Sequence, residues 1–292
     1  MKIAGYSRLT KKKKRQNYLI LLTLTLLALT EIPLLSSLPS KAGQYSTDTF
    51  SYPLNSFSFD AKAYFSGYEG TFVLYDTNQN QFTVYNEKES QTRYSPDSTY
   101  KIFCALNALE SRVISPSRTD LSWDGTEHPF LEWNQDQTLS TAMENSVNWY
   151  FKQLDSQIGL TAQNRFFEYI NYGNYDFSGG INSWMESSLL ISPLEQVVKL
   201  KEFYYNEFHF SDENITAVKD SIFLKEQNGD RLYGKTGTGN INGRNTNGWF
   251  IGFIESTENT FFFALHIKAN DSASGSAAAK IALDLLSKLQ LF

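Results

Sequence analysis

The chain predicts an α/β fold, an antiparallel sheet with the terminal helices on one face and a helical subdomain on the other. Three observations predict it: apolar residues alternate at strand period near the start and again after Leu232, they recur at helical spacing between about 97 and 225, and a last helical pattern follows the strands. In chain order, 71–75 and 82–85 alternate around Asp76-Thr77-Asn78-Gln79-Asn80, a hairpin signal. Pro96-Asp97 marks a helix start, and Ile102, Ala105, Leu106 and Leu109 continue an apolar stripe from it. Helical patterns then dominate, including 140–158 and 194–208. Strands are predicted at 232–238, 246–255 and 260–268, and a final helix at about 275–289. With no internal repeat or low-complexity tract, 67–292 reads as one domain, 43–66 as a linker or ordered lead-in, and 1–42 as a basic N-terminus followed by a membrane anchor or signal segment.

Three short motifs lie across these elements in a fixed order: Ser98-Thr99-Tyr100-Lys101, Ser146-Val147-Asn148 and Lys235-Thr236-Gly237-Thr238-Gly239. They read as S-x-x-K, S-x-N and K-T-G, the elements of a serine acyl-transfer site. None of the three is specific alone; their order is. A serine hydroxyl is a poor nucleophile until a base takes its proton. Lys101 lies three residues after Ser98, so on a helix both project from one face. In the first turn, unpaired N–H groups and the helix dipole favour negative charge near the serine oxygen. An amine acts as a base only after losing its proton, which takes burial or a neighbouring cation, and Lys235 is a candidate neighbour. The third motif reads as an edge strand that offers backbone N–H groups and the Thr236 and Thr238 hydroxyls to a bound carboxylate or oxyanion, with glycines allowing close approach.

From about residue 70 to 289 the chain resembles the class D β-lactamase family, and more closely the extracellular penicillin-sensor domain of BlaR- and MecR-type signal transducers. The residues carrying the resemblance are Tyr94 to Ile102, Asn145 to Phe151, Tyr172-Gly173-Asn174, Trp184-Met185-Glu186, Ile191 to Gln196, Tyr233 to Gly239, and Asn247 to Gly252. It implies a serine β-lactamase or penicillin-binding-protein-like sandwich that takes β-lactam antibiotics. It implies Ser98 as the acylated nucleophile, Lys101 as a base that CO2 can carboxylate, and Ser146 as a proton relay. Asn148, Lys235, Thr236, Gly237 and Thr238 become substrate-binding positions, Trp184 a neighbour of the lysine site, and Tyr172 part of the cleft wall or a loop turn.

Two departures bear on function. Class D hydrolases usually carry an apolar residue two positions after the second serine, whereas this chain has Asn148, as sensors and penicillin-binding proteins do. An amide there favours loss of CO2 from the lysine and a lasting acyl-enzyme, or else merely orients an active-site amide. The full-length sensors also join this domain to a zinc protease, and no H-E-x-x-H occurs here. The resemblance therefore leaves a trap or receptor with a separate signalling partner, a β-lactam hydrolase, and, third, a peptidoglycan peptidase. His128, His209 and His266 have no ligand spacing and predict no metal site.

The first 16 residues hold seven Lys and Arg and no acid, and an apolar run follows at 18–29. This predicts a single N-terminal membrane anchor with the domain outside the cytoplasm, or a secreted domain if the segment is cleaved after Ala42. Removing those seven from the chain's 26 basic residues leaves 19 against 31 acidic ones, which disfavours nucleic-acid binding. The single Cys104 allows no intramolecular disulfide and reads as a buried helix residue, and Trp123, Trp133 and Trp149 read as core.

Overall fold

The structure is a computed structural model that describes residues 57–58 and 60–292. The basic leader, the apolar run and the expected cleavage point lie outside the described residues. Among the described residues no helix is long and apolar enough to cross a membrane.

Among the described residues the sheet has seven strands: β1 (Phe57–Ser58), β2 (Glu69–Asp76), β3 (Gln81–Tyr85), β4 (Phe223–Gln227), β5 (Asp230–Ile241), β6 (Arg244–Glu255) and β7 (Thr260–Lys268). Their order is β1-β3-β2-β7-β6-β5-β4, antiparallel throughout except where β1 runs parallel to β3. Among the described residues the α-helices are α1 (Glu87–Gln91), α2 (Lys101–Glu110), α3 (Leu139–Glu144), α4 (Asn148–Ile158), α5 (Leu160–Tyr169), α6 (Pro193–Tyr204), α7 (Asp212–Ser221) and α8 (Gly275–Lys288).

Helices cover both faces of the sheet, so its central strands are buried nearly end to end. Phe72, Leu74, Phe250, Ile254, Phe263 and Leu265 point to one face and pack with Ile281, Leu285 and Leu286 of α8. A short 3₁₀ turn, Lys62–Phe65, joins them through Phe65, so this end of the expected lead-in belongs to the core. On the other face α6 packs against β2, β6 and β7. Its start was legible: Ser192 and Glu195 form a reciprocal capping box with Pro193 at the first helical position.

Four local expectations change. The helix predicted over 140–158 is two helices, α3 and α4, broken at Asn145–Val147, where Ser146 takes a left-handed φ of 55° and is thrust out of the helical path. The predicted helix start at Pro96-Asp97 is instead a 3₁₀ turn, Asp97–Tyr100, that runs into α2. β4 begins inside the stretch read as helical and runs past its end; all five of its residues are exposed, so no alternation marks it. Helix α2 is buried on every side rather than along one stripe, because it lies between the other helices and the sheet. Cys104 sits in it, buried as expected.

Candidate active site

The three motifs converge on one cleft of about 500 Å³ at the junction of α2, the α3–α4 break and β5. The 3₁₀ turn presents Ser98 half-exposed, while Lys101 at the head of α2 is fully buried with its side chain running back toward that turn. Lys101 Nζ lies 2.7 Å from Ser98 Oγ, 2.9 Å from both the carbonyl and the hydroxyl oxygen of Ser146, and 2.6 Å from Asn148 Oδ1. The Trp184 and Phe151 rings enclose it at 5.2 and 5.5 Å.

Burial holds the Lys101 ammonium well below the usual lysine range, and the nearby Lys235 pushes the same way. A neutral amine has two N–H donors and one lone pair. The Ser146 carbonyl and Asn148 Oδ1 can only accept, so they take both N–H groups. The lone pair is then left for the Ser98 hydroxyl at 2.7 Å, which is the geometry of a general base.

Ser146 links the two lysines. Its hydroxyl is 2.9 Å from Lys101 Nζ and 3.0 Å from Lys235 Nζ. Lys235 also donates to the Thr236 carbonyl, and burial pushes its ammonium down to about 8, still charged at neutral pH. Ser146 can therefore pass a proton between Lys101 and the cleft while Lys235 holds its hydroxyl in place.

The third motif behaves as an edge strand although β5 is not at the end of the sheet. Strand β4 pairs only with 230–233 of β5, so among the described residues the outer edge of 235–239 faces the cleft without a strand partner. Gly237 lies against the nucleophile turn: a Cβ there would fall 3.0 Å from the Pro96 carbonyl and 3.3 Å from Ser98 N. The Thr238 hydroxyl accepts from Gly275 N–H at 2.8 Å and keeps its own hydrogen for a ligand.

Not every expected residue lines the cleft. Tyr172 is fully buried against Phe103 and Phe167, a layer behind the nucleophile turn. Its neighbours explain the motif: Gly173 has φ 57°, a Cβ there would meet the Leu190 carbonyl at 2.0 Å, and the Asn174 side chain bonds Leu190 N–H and the Ser188 carbonyl. The motif shapes a loop. Trp133, read as core, is half-buried in the cleft wall beside Phe130 and Met185. The stretch carrying Phe130 and Trp133 has no period in the sequence that could have singled them out. Asp97, Glu186 and Asn247 were also passed over as site residues, although the sequence places them inside or next to quoted motifs.

Residues 70–287 match the family described as penicillin binding protein transpeptidase domain. The chain belongs to that family. It is 52% identical over 223 residues to the regulatory protein BlaR1 of Bacillus licheniformis, which covers 76% of this chain and 37% of BlaR1. The solved C-terminal domain of the Bacillus licheniformis BlaR penicillin-receptor aligns with a TM-score of 0.80 at 49% identity, over 83% of this chain and all of that one. The probable β-lactamase YbxI of Bacillus subtilis is 36% identical over 231 residues, 78% of this chain and 83% of YbxI. This chain thus spans well under half the length of BlaR1 but most of a β-lactamase.

Proposed function

We propose that this domain is a β-lactam receptor, acylated at Ser98 and slow to release the adduct. The observation that carries the reading is the single contact set of Lys101 Nζ, 2.7 Å from Ser98 Oγ and 2.6 Å from Asn148 Oδ1. Neutral Lys101 removes the Ser98 proton as Oγ attacks the ring carbonyl. The Ser98 N–H and the open edge of β5 stabilise the oxyanion. The C–N bond breaks, and the ring nitrogen takes the proton that Lys101 removed, passed on through Ser146, leaving an ester on Ser98, a neutral Lys101 and the Lys235 charge for the ligand's carboxylate.

Hydrolysis needs a second base turn for water. N-carboxylation of Lys101 would supply it, but CO2 attack consumes one of the two N–H groups and sets carbamate oxygens against Asn148 Oδ1, acceptor facing acceptor. The amide thus favours the free amine and a long-lived ester. The competing reading, a class D β-lactamase, draws on the Trp184 and Phe151 rings about Nζ, an apolar enclosure of the kind in which a carbamate persists. The BlaR likeness further supports an extracytoplasmic domain on a membrane anchor. A chromogenic cephalosporin in excess separates the readings: a receptor gives one equivalent of product and stops, whereas continued turnover contradicts it.

A further inference from the structure

One residue before Ser98, two carboxyl groups meet a single amide. Asn247 Nδ2 lies 2.9 Å from Asp97 Oδ2, 2.9 Å from Glu186 Oε1 and 3.0 Å from the Ser95 carbonyl. Its Oδ1 is 2.5 Å from His266 Nε2. His266 is fully buried and burial pushes its ring down to about 3, so it is neutral and donates that hydrogen to Oδ1. The amide orientation follows: oxygen toward His266, NH2 toward three acceptors that share two hydrogens.

The two carboxyls lie within about 6 Å of each other, a range at which like charges oppose ionisation. The Lys101 amine and the Asn247 hydrogen bond pull the other way, but they rank below burial and the Glu186 carboxylate. Lys101, at the head of α2, is itself pushed toward the neutral amine by burial; β7 contributes the neutral His266; β5 presents Gly237 and Gly239. Asp97 is only 4% exposed. Both acids also sit on left-handed backbone, each at φ 48°, a conformation that non-glycine residues hold only where surroundings enforce it. Gly239 completes the fit, since a Cβ there would fall 1.6 Å from Glu186 Oε1. The same knot extends through Ser95, whose carbonyl also accepts from Trp249 Nε1 at 2.8 Å and whose hydroxyl donates to the Trp184 carbonyl.

We propose that Asp97 and Glu186 hold one proton between them and, through Asn247, clamp the nucleophile turn to β5 and β6, making Asp97 a positioning residue for acylation of Ser98. Burial, and then the Glu186 charge, raise the Asp97 carboxyl well above the usual range, which agrees with the geometry. The part of this inference that concerns acylation rests on the receptor reading above; the shared proton does not.

The test compares Asp97→Asn, Asp97→Ala and Glu186→Gln in the full chain, reading acylation by a fluorescent penicillin and the thermal midpoint across pH. An asparagine replaces the shared proton with an amide hydrogen, so Asp97→Asn acylates within about threefold of wild type, while Asp97→Ala, which loses the bond, is slower by about tenfold. The stability sign is fixed by linkage. The native carboxyl is protonated and the unfolded one titrates near about 4, so wild-type stability is full below that value and falls as pH rises toward the native one. Asp97→Asn therefore melts above wild type at pH 8, and the gap closes toward pH 4. Glu186→Gln removes the opposing charge and flattens the pH dependence without touching Asp97. If Asp97→Asn melts below wild type at pH 8, or acylates as slowly as Asp97→Ala, the proposal is overturned. A wild type that takes no penicillin removes the acylation part alone, and the melting series still decides the proton.

Discussion

Two buried pockets adjoin Ser98, and they use burial in opposite directions. Around Lys101, desolvation and the Lys235 charge strip a proton from a base. Around Asp97, desolvation and the Glu186 charge keep a proton on an acid. Each pocket ends with a neutral group where water would hold a charged one. The difference lies in what that neutrality serves. The lysine lone pair points at Ser98 Oγ and can accept its proton, whereas the Asp97 carboxyl faces Asn247 and Glu186 and touches no reacting atom. A perturbed group beside a nucleophile thus marks chemistry in one case and geometry in the other, and only the contacts tell them apart.

The largest effect that sharpens this contrast comes from the lysine side. Ser98→Ala abolishes covalent labelling by a fluorescent penicillin while the thermal midpoint stays near wild type. Lys101→Ala keeps the hydroxyl but loses the base, and acylation falls by about 10²–10⁴-fold. Labelling of Ser98→Ala, or unchanged acylation of Lys101→Ala, breaks the assignment of these two roles. Next is the pH profile. Acylation needs Lys101 without its proton and Lys235 with one, so it rises from acid as Lys101 deprotonates and falls above about 8 as Lys235 does. Lys235→Ala removes the alkaline limb; a limb that persists there belongs to another group.

The smallest effect is at Asn148. Asn148→Val removes the acceptor at 2.6 Å from Nζ, favours the carbamate and shortens the adduct lifetime, most with added bicarbonate. A tenfold change corresponds to about 1.4 kcal/mol of barrier, the size of one buried polar contact. Equal lifetimes in the two forms would remove the amide from the account of slow release.

The lysine side of this comparison was legible in the sequence and the acid side was not. Ser98 and Lys101 are three residues apart where the 3₁₀ turn runs into α2, so spacing alone brings them together, and the motif order supplied Ser146 and Lys235. Asp97, Glu186, Asn247 and His266 come from four separate elements, and only the β5–β6–β7 register and the left-handed turns at 97 and 186 unite them. The sandwich was legible because strand and helix periods are segregated along the chain. The exposed β4 and the break at Ser146 were not, since the first has no buried face and the second is set by tertiary contacts rather than by a glycine or proline. Phe130 and Trp133 lie in a stretch of isolated bridges and a short 3₁₀ turn, where no period assigns a face.

The central claim, that this site acylates and then holds its adduct, is tested most directly by intact-mass spectrometry of the wild-type chain after a brief exposure to a penicillin and removal of the excess. The account predicts a single added penicillin mass, absent in Ser98→Ala, that persists for hours with or without bicarbonate. An adduct that clears within seconds would contradict it and make the domain a hydrolase.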